Sequence, residues 1–358
     1  MKIEHIQIVA AQGHTFCRVF LDGAEGVVPL NHRTHQTLSL FEHVALPFFQ
    51  GFDLANLREA SEQFYRTKSN YKLAGMPLWA SFAGVELAAW DALGRAQGRR
   101  VADFFGVKRE SAPIYLSSMD RHSSARELID FVEARRRETG ARACKLKLGA
   151  RMKRTPQSDA RDRELIEFCA VSGADFRVAF DANGSFSPDE ATQIGRELES
   201  ANALWFEEPC DFEDLDATQT VADALKLCVA GGEQDSNAKV WKKMLENRAV
   251  DIAQPDLQYN GGFARCMEVA ELAARSEIGV TPHNTKLWPG GASGLHFYCA
   301  APRVADFLEF RIDREAPPSW VSPRVEVQNG ALHLPTGAGF GAQYDDDLWK
   351  TATVLAQT

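Results

Sequence analysis

Charged side chains recur at the ends of short apolar segments along the chain, and their types suit acid–base chemistry. Apart from one pair of lysines two residues apart, successive members stand 23 to 34 residues apart, which is the length of one strand–loop–helix unit. In a barrel built from such units, the strand ends meet at one rim, where barrel enzymes hold their catalytic groups. The members of this set are Lys145, Lys147, Asp181, Glu207, Glu233, Asp256, His283 and Glu309.

Three of these residues predict a metal site. Asp181, Glu207 and Glu233 each follow an apolar segment, and three converging carboxylates repel one another unless a cation lies between them. Oxygen ligands without a nearby His or Cys favour Mg²⁺ over zinc or copper. Each acid taken alone is better explained as a solvated residue at a strand end, and the metal site is predicted by the three together. A zinc hydrolase on a similar barrel would need a pair of histidine ligands that the set does not offer.

The other members predict proton transfer. Lys145 and Lys147 flank Leu146, so both ammoniums point to one face of a strand, and each is expected to lower the pKa of the other. The alternative is a pair of surface lysines. Asp256, one strand before His283, is expected to orient its imidazole.

Glu309, at the end of the last strand, has two interpretations. As a protonated acid it would donate a hydrogen bond to a developing enolate oxygen. Alternatively, it forms a salt bridge with Arg311.

The elements that position these residues follow from the apolar pattern. The N-terminal region predicts strands over 3–10 and 15–21, a third strand around Val27–Val28, and helices over 53–66 and 77–97, the second of them buried. From about 113 to 311, strands and helices alternate, which indicates a (β/α) barrel. The predicted barrel strands are 113–116, 143–147, 177–181, 203–207, 228–233, 250–256, 279–283 and 306–309.

Local signals support two helix starts and one hairpin. Ser124 with Glu127 and Ser187 with Glu190 are capping boxes, and Gly140 is a helix stop. Asn329-Gly330 between 325–327 and 332–334 predicts a β-hairpin. We therefore expect a capping domain over 1–110, completed by 315–358, and a catalytic barrel over 111–314.

Composition excludes several classes of protein. A net charge of −9 among 358 residues argues against nucleic acid or an anionic membrane as a partner. The seven cysteines are scattered without a CxxC motif, so we expect neither a zinc knuckle nor disulfides, and a cytoplasmic location. A signal peptide and a membrane span of about 18 apolar residues are both lacking in the sequence.

Taken together, the motifs resemble the mandelate racemase branch of the enolase superfamily over essentially the whole chain. The segment 84–91 resembles that family's capping domain, and Asp256 stands where the sister branch of muconate cycloisomerases has a lysine. The barrel motifs are Lys145-Leu-Lys147, Phe180-Asp-Ala-Asn-Gly184, Trp205-Phe-Glu-Glu-Pro209, Gly231-Gly-Glu233, Pro255-Asp256, Pro282-His-Asn284 and Leu308-Glu309.

The resemblance implies a modified (β/α)7β barrel with an α+β capping domain, and specific roles for these residues. Mg²⁺ would be bound by Asp181, Glu207 and Glu233. Lys147, tuned by Lys145, would be the base on one substrate face, and His283, held by Asp256, would serve the other. Glu309 would stabilise the enolate. Substrate contacts would come from Asn183, Glu208, His14, His32 and Arg33.

The expected reaction is dehydration of a sugar acid, an aldonate or aldarate, to a 2-keto-3-deoxy acid. The alternatives are racemisation, epimerisation or cycloisomerisation by the same residues, and a catalytically idle ligand-binding relative. The segment 25–29, Glu-Gly-Val-Val-Pro, departs from the family's Gly-x-Gly-Glu-like turn. The loop offers polar side chains suited to hydroxyls or a second carboxylate, unless it is an ordinary solvated loop: His14, Arg18, Asn31, His32, Arg33 and His35. Homo-oligomers are common in the family, and we expect one here.

Overall fold

A computed structural model describes residues 1–69, 72–313, 318–324 and 326–358. The chain begins with three antiparallel strands, β1 (His5–Ala11), β2 (His14–Leu21) and β3 (Ala24–Pro29). The C-terminal strand Thr353–Gln357 pairs with β1 and completes a four-stranded sheet. All three predicted N-terminal strands are therefore present, each within three residues of its expected start.

Helical segments cover one side of this sheet. They are α1 (Thr34–Leu40), a π-helical turn (Phe41–Ala45), α2 (Leu46–Phe49), a 3₁₀ segment (Leu54–Glu59), α3 (Ala60–Lys68), α4 (Met76–Gln97) and α5 (Val101–Phe105). The helix predicted over 53–66 begins as the 3₁₀ turn, because the Asp53 carboxylate accepts from the Ala55 N–H and tightens the start.

The long helix α4 is buried from Leu78 to Gly94, as its continuous apolar sequence predicts. It packs closely on β3. A Cβ atom built on Gly26 would lie 2.1 Å from the Ala88 carbonyl oxygen, so only glycine fits there. This contact fixes the loop that follows β3 above the barrel.

The barrel contains eight parallel strands, and the last of them (Leu308–Ile312) pairs with the first (Ser111–Ser118). A parallel bridge between Val280 and Val304 joins the end of the seventh strand to the segment that leads into the eighth. The strands are β4 (Ser111–Ser118), β5 (Ala143–Lys147), β6 (Arg177–Asp181), β7 (Phe206–Glu207), β8 (Val229–Gly231), β9 (Ile252–Ala253), β10 (Gly279–Val280) and β11 (Leu308–Ile312).

One helix follows each of the first seven barrel strands, so the predicted (β/α)7β architecture is confirmed. The helices are α6 (Ala125–Thr139), α7 (Pro156–Ser172), α8 (Pro188–Ser200), α9 (Leu215–Ala224), α10 (Ala238–Glu246), α11 (Gly262–Arg275) and α12 (Ala292–Ala300). Both predicted capping boxes are formed, at Ser124 and Ser187, and Gly140 ends α6 in a left-handed conformation.

The C-terminal tail departs from the predicted hairpin. It contains β12 (Val321–Ser322), β13 (Ala331–His333), β14 (Gln343–Tyr344), α13 (Asp346–Lys350) and β15, the strand that joins the N-terminal sheet. The strand β13 pairs antiparallel with residues 111–113 at the start of β4, before the part of β4 that pairs with β5 and β11, and the predicted turn is spanned by a single bridge between Gln328 and Ala331. Val325 and the expected domain boundary at 314–315 lie outside the described residues.

Strand register brings the polar residues to one rim. Lys147 of β5 lies beside Asp181 of β6, which lies beside Glu207 of β7. Because neighbouring strands are about 4.8 Å apart, side chains at equal height come within contact distance. Among the described residues, no helix combines the length and apolar character needed to cross a membrane.

Candidate active site

Three buried carboxylates form the centre of the site. One ligand oxygen from each of Asp181, Glu207 and Glu233 lies within 4.8 Å of the other two. Asp181 and Glu207 are the last residues of β6 and β7, and Glu233 lies in the loop just after β8, so the three meet at one rim as the spacing predicted. Burial raises the pKa of Glu207 to about 7, despite the opposing charge of Lys145.

This donor set fits a divalent cation with a preference for oxygen. Glu208 supports the fit, because its Oε1 is buried without a hydrogen-bonding partner in the part of the chain described. Burial and the nearby charge of Glu233 raise the pKa of Glu208 well above its usual value. Uncompensated buried carboxylates are costly, and a cation at this position would offset that cost.

Lys145 lies fully buried among carboxylates. Its Nζ is 2.5 Å from Glu207 Oε1, 3.0 Å from Glu309 Oε1 and 3.9 Å from Asp181 Oδ2. Burial lowers the pKa of Lys145, but Glu207 and Glu309 outweigh it and raise the pKa well above the usual value. The lowering expected for two ammoniums beside a divalent cation stays a prediction, because it applies to the site with its ion bound.

Lys147 occupies a different position, facing the cavity. Its Nζ donates to Asp181 and lies 3.3 Å from Asn183 Oδ1. Asn183 in turn donates from Nδ2 to Glu208 Oε2 at 3.0 Å. Asn183 and Glu208 both have left-handed backbone conformations, with φ of 43° and 40°. Such strain in non-glycine residues concentrates at functional sites.

His283 and Asp256 form the predicted pair. His283 Nδ1 is 2.7 Å from Asp256 Oδ2, and Nε2 is 3.2 Å from Glu233 Oε2. Burial alone would lower the pKa of His283, but Glu233 and the hydrogen bond to Asp256 raise it to about 9. The imidazole is therefore held protonated at neutral pH, with one nitrogen on its orienting carboxylate.

Glu309 does not form the alternative salt bridge, and it lies within the network of rim residues. Ser117 Oγ donates to its Oε1 at 2.7 Å, and the Asn284 N–H donates to its Oε2 at 2.6 Å. Burial raises the pKa of Glu309, but Lys145 and His283 outweigh it and lower the pKa to about 2. Glu309 is not paired with Arg311, whose guanidinium lies 2.6 Å from Asp313 Oδ2.

Capping domain and rim enclose one cavity of about 600 Å³. From the rim it is lined by Lys147, Asn183, Glu208, Glu233 and His283. Side chains of the capping domain complete it, with an apolar portion from Leu30, Phe41, Met76, Pro77 and Ala80 and polar groups from Asn31, His32, Arg33, Thr34, Gln36 and Thr37. Lys147 and His283 therefore face one enclosed volume.

The capping-domain predictions divide into two groups. Asn31, His32 and Arg33, in the loop after β3, line the cavity. His14 is a wrong prediction, because it begins β2 with its exposed ring 5.3 Å from the Trp320 ring. Arg18 instead pairs with Glu25 at 2.5 Å.

Sequence reasoning missed several polar residues in the loops after the strands. Gln254 and Trp205 both donate to Glu207 Oε2, at 2.7 and 3.2 Å. Lys286 Nζ lies 2.7 Å from Asp256 Oδ2, and Tyr259 accepts from the Asn31 side chain at 2.7 Å. The proximity of Gln254 and Tyr259 to Asp256 in sequence was the signal that could have indicated them.

Comparison with known proteins agrees with this geometry. Residues 127–348 match the family model described as enolase C-terminal domain-like. The D-galactarolactone cycloisomerase of Agrobacterium fabrum is 30% identical, over 76% of this chain and 73% of the relative. The arabinonate dehydratase of Saccharolobus solfataricus is 25% identical, over 81% of this chain and 76% of the relative.

Solved structures share the whole architecture. A racemase candidate from Roseobacter denitrificans superposes with a TM-score of 0.90 at 29% identity, covering 100% of both chains. A mandelate racemase/muconate lactonizing protein from Paracoccus denitrificans, solved in complex with magnesium, has a TM-score of 0.89 at 24% identity, covering 99% of both chains. With its buried carboxylate triad, paired lysines and His–Asp pair, the chain belongs to the mandelate racemase and muconate-lactonizing enzyme family of the enolase superfamily.

Proposed function

We propose that this protein removes the proton α to a substrate carboxylate with the help of Mg²⁺, and dehydrates a sugar acid to a 2-keto-3-deoxy acid. One observation carries the proposal. The triad of Asp181, Glu207 and Glu233 lies at a rim where Lys147 and His283 line the same cavity. An aldonate or aldarate is the substrate class that we favour.

The metal site rests on the chemistry of its donors. Asp181, Glu207 and Glu233 would hold Mg²⁺, and the ion would stabilise negative charge on the substrate carboxylate as the α-proton leaves. The Paracoccus denitrificans relative, whose structure contains magnesium, supports this choice.

Two proton transfers account for the reaction. Lys147 takes the α-proton at Nζ, and the electrons of the C–H bond form the enolate. Protonated His283 then gives a proton from Nε2 to the β-hydroxyl, the C–O bond breaks, and water leaves. The resulting enol tautomerises to the 2-keto-3-deoxy acid. General acid–base catalysis of this kind contributes about 10²- to 10⁴-fold to a rate.

Neighbouring residues position these groups. Lys145, buried between Glu207 and Glu309, supplies positive charge close to Lys147 and the developing enolate. Glu309 fixes Lys145 and the backbone of Asn284. Asn183, Glu208, His32 and Arg33 line the cavity and would contact the hydroxyls or the second end of the substrate.

Cycloisomerisation is the second candidate. It is favoured by the 30% identity to the Agrobacterium fabrum protein named as a galactarolactone cycloisomerase. Lys147 or His283 would again handle the α-proton, with ring opening in place of loss of water. Racemisation or epimerisation would return the proton from the opposite face.

A library of aldonic acids, aldaric acids and their lactones, incubated with Mg²⁺ in D₂O, tests these proposals. Dehydration predicts a 2-keto product from at least one acid, detected by semicarbazide trapping and NMR. Deuterium at the α-carbon without a keto product would favour epimerisation. A catalytically idle relative would give neither signal, and Lys147→Ala serves as the matched blank.

A further inference from the structure

Lys286 contacts Asp256 of the His283–Asp256 pair on the side away from the cavity. It lies three residues after His283, in the loop between β10 and α12, with a side chain only 18% exposed. Its Nζ donates to Asp256 Oδ2 at 2.7 Å, the oxygen that also binds His283 Nδ1 at 2.7 Å. Lys286 is not among the residues that line the cavity, so it does not face the substrate directly.

Asp256 has its full complement of donors. Its Oδ1 accepts the backbone N–H groups of Gln258 at 2.7 Å and Tyr259 at 3.0 Å, and its Oδ2 accepts from His283 and Lys286. A carboxylate offers about four acceptor positions, and all four are taken here. The fully buried carboxylate therefore has one orientation, and loss of Lys286 would leave Oδ2 with a single partner.

Tyr259 packs beside both His283 and Lys286. Its ring lies 6.2 Å from the His283 ring at an interplanar angle of 25°, and Lys286 Nζ lies 5.7 Å from its centroid. The Tyr259 hydroxyl accepts from Asn31 of the capping domain. Since these contacts hold Lys286 on one side, its ammonium remains directed at Asp256.

From this geometry we propose that Lys286 is a positioning residue, which fixes the ring plane of His283 and its Nδ1–H hydrogen bond to Asp256 by occupying the second acceptor position of Asp256 Oδ2. The inference rests on the proposed function for its kinetic consequence. Held in this way, His283 turns Nε2 towards Glu233 and the cavity, 3.3 Å from Thr285 Oγ1. Outer residues that orient a metal-bound imidazole contribute about 10- to 100-fold, and we expect an effect of similar size for His283.

Imidazole NMR on the full-length protein with Mg²⁺ tests the positioning directly. In the wild type, ¹⁵N-labelled histidine should give one sharp His283 Nδ1–H signal at the shift of a strong hydrogen bond to a carboxylate, assigned by its loss in His283→Asn. Lys286→Met should shift or broaden this signal, and Lys286→Arg should restore most of the wild-type signal. Lys243→Met, which removes an exposed lysine paired with Asp216, is the matched control.

Kinetics provide the second readout. Lys286→Met should lower kcat about 10- to 100-fold with KM changed less than about threefold, and Lys286→Arg should recover most of the loss. An unchanged His283 signal in Lys286→Met overturns the proposal whatever happens to kcat. If the wild type turns over no acid, the proposed function fails, but the imidazole comparison still decides the role of Lys286. Should Lys286→Met not fold, Lys286→Gln, which keeps a neutral donor, replaces it.

Discussion

The barrel rim and the capping-domain loop face the same cavity, but they hold their polar side chains in different ways. At the rim, Lys147, His283 and Glu233 are less than one-tenth exposed and are bonded to other buried side chains. In the loop, His32 and Arg33 are exposed. Rigid strand ends suit groups that must meet reacting atoms within about 0.5 Å, whereas a loop suits recognition of variable substituents.

The difference predicts that rim substitutions abolish chemistry and loop substitutions change affinity. The largest effect is expected for Glu207→Gln, which removes one of three charges around the ion. We expect Mg²⁺ binding, measured by calorimetry, to weaken at least about 100-fold and turnover to fall at least about 1000-fold. Glu246→Gln on the exposed face of α10 is the control. Mg²⁺ affinity unchanged in Glu207→Gln would contradict the metal assignment.

Lys147→Met and His283→Asn distinguish the roles of the two proton-transfer groups at the rim. Each should lower turnover about 10²- to 10⁴-fold, because each removes one proton-transfer group. The two variants should differ in D₂O. Lys147→Met should lose α-proton exchange, whereas His283→Asn should retain it while losing the keto product. Equal loss of both signals in both variants would count against separate roles.

Arg33→Met tests whether the capping-domain loop contributes to substrate affinity without contributing to turnover. Because Arg33 lines the cavity without belonging to the rim network, KM should rise about tenfold with kcat within about threefold of wild type. Arg137→Met, an exposed arginine of α6, is the control. A fall in kcat as large as that of Lys147→Met would show that the loop takes part in the chemistry.

His14→Ala should have the smallest kinetic effect. The ring lies against Trp320, outside the cavity, so kcat and KM should stay within about twofold of wild type. Loss of the aromatic contact should cost about 0.5–1.5 kcal/mol of unfolding free energy, measured by urea denaturation. A tenfold rise in KM would mean that His14 reaches the substrate.

The same contrast explains what the sequence could predict. The rim residues were predictable because barrel strands repeat at regular intervals, and β5 and β6 have the predicted bounds. By contrast, β9 was predicted over 250–256 but spans only Ile252–Ala253. Strand pairing stops before the polar end of the predicted segment, where the Asp256 carboxylate binds the backbone N–H groups of Gln258 and Tyr259.

Loop geometry and local charge were not predictable in this way. His14 and Arg33 looked equivalent in sequence, and only the packing of β2 against the C-terminal tail separates them. The spacing of Lys145 and Lys147 indicates that they share a face, but not how many carboxylates surround each one. Lys286 follows no strand period, so no pattern indicated its contact with Asp256.

A crystal of the wild-type protein grown with Mn²⁺ in place of Mg²⁺, and measured at a wavelength where manganese scatters anomalously, tests the metal site most directly. We predict one strong peak per chain, within coordination distance of an oxygen from each of Asp181, Glu207 and Glu233. A peak elsewhere, or none at saturating Mn²⁺ with Lys145 and Lys147 still bonded to these carboxylates, would contradict a shared ion as the basis of the chemistry.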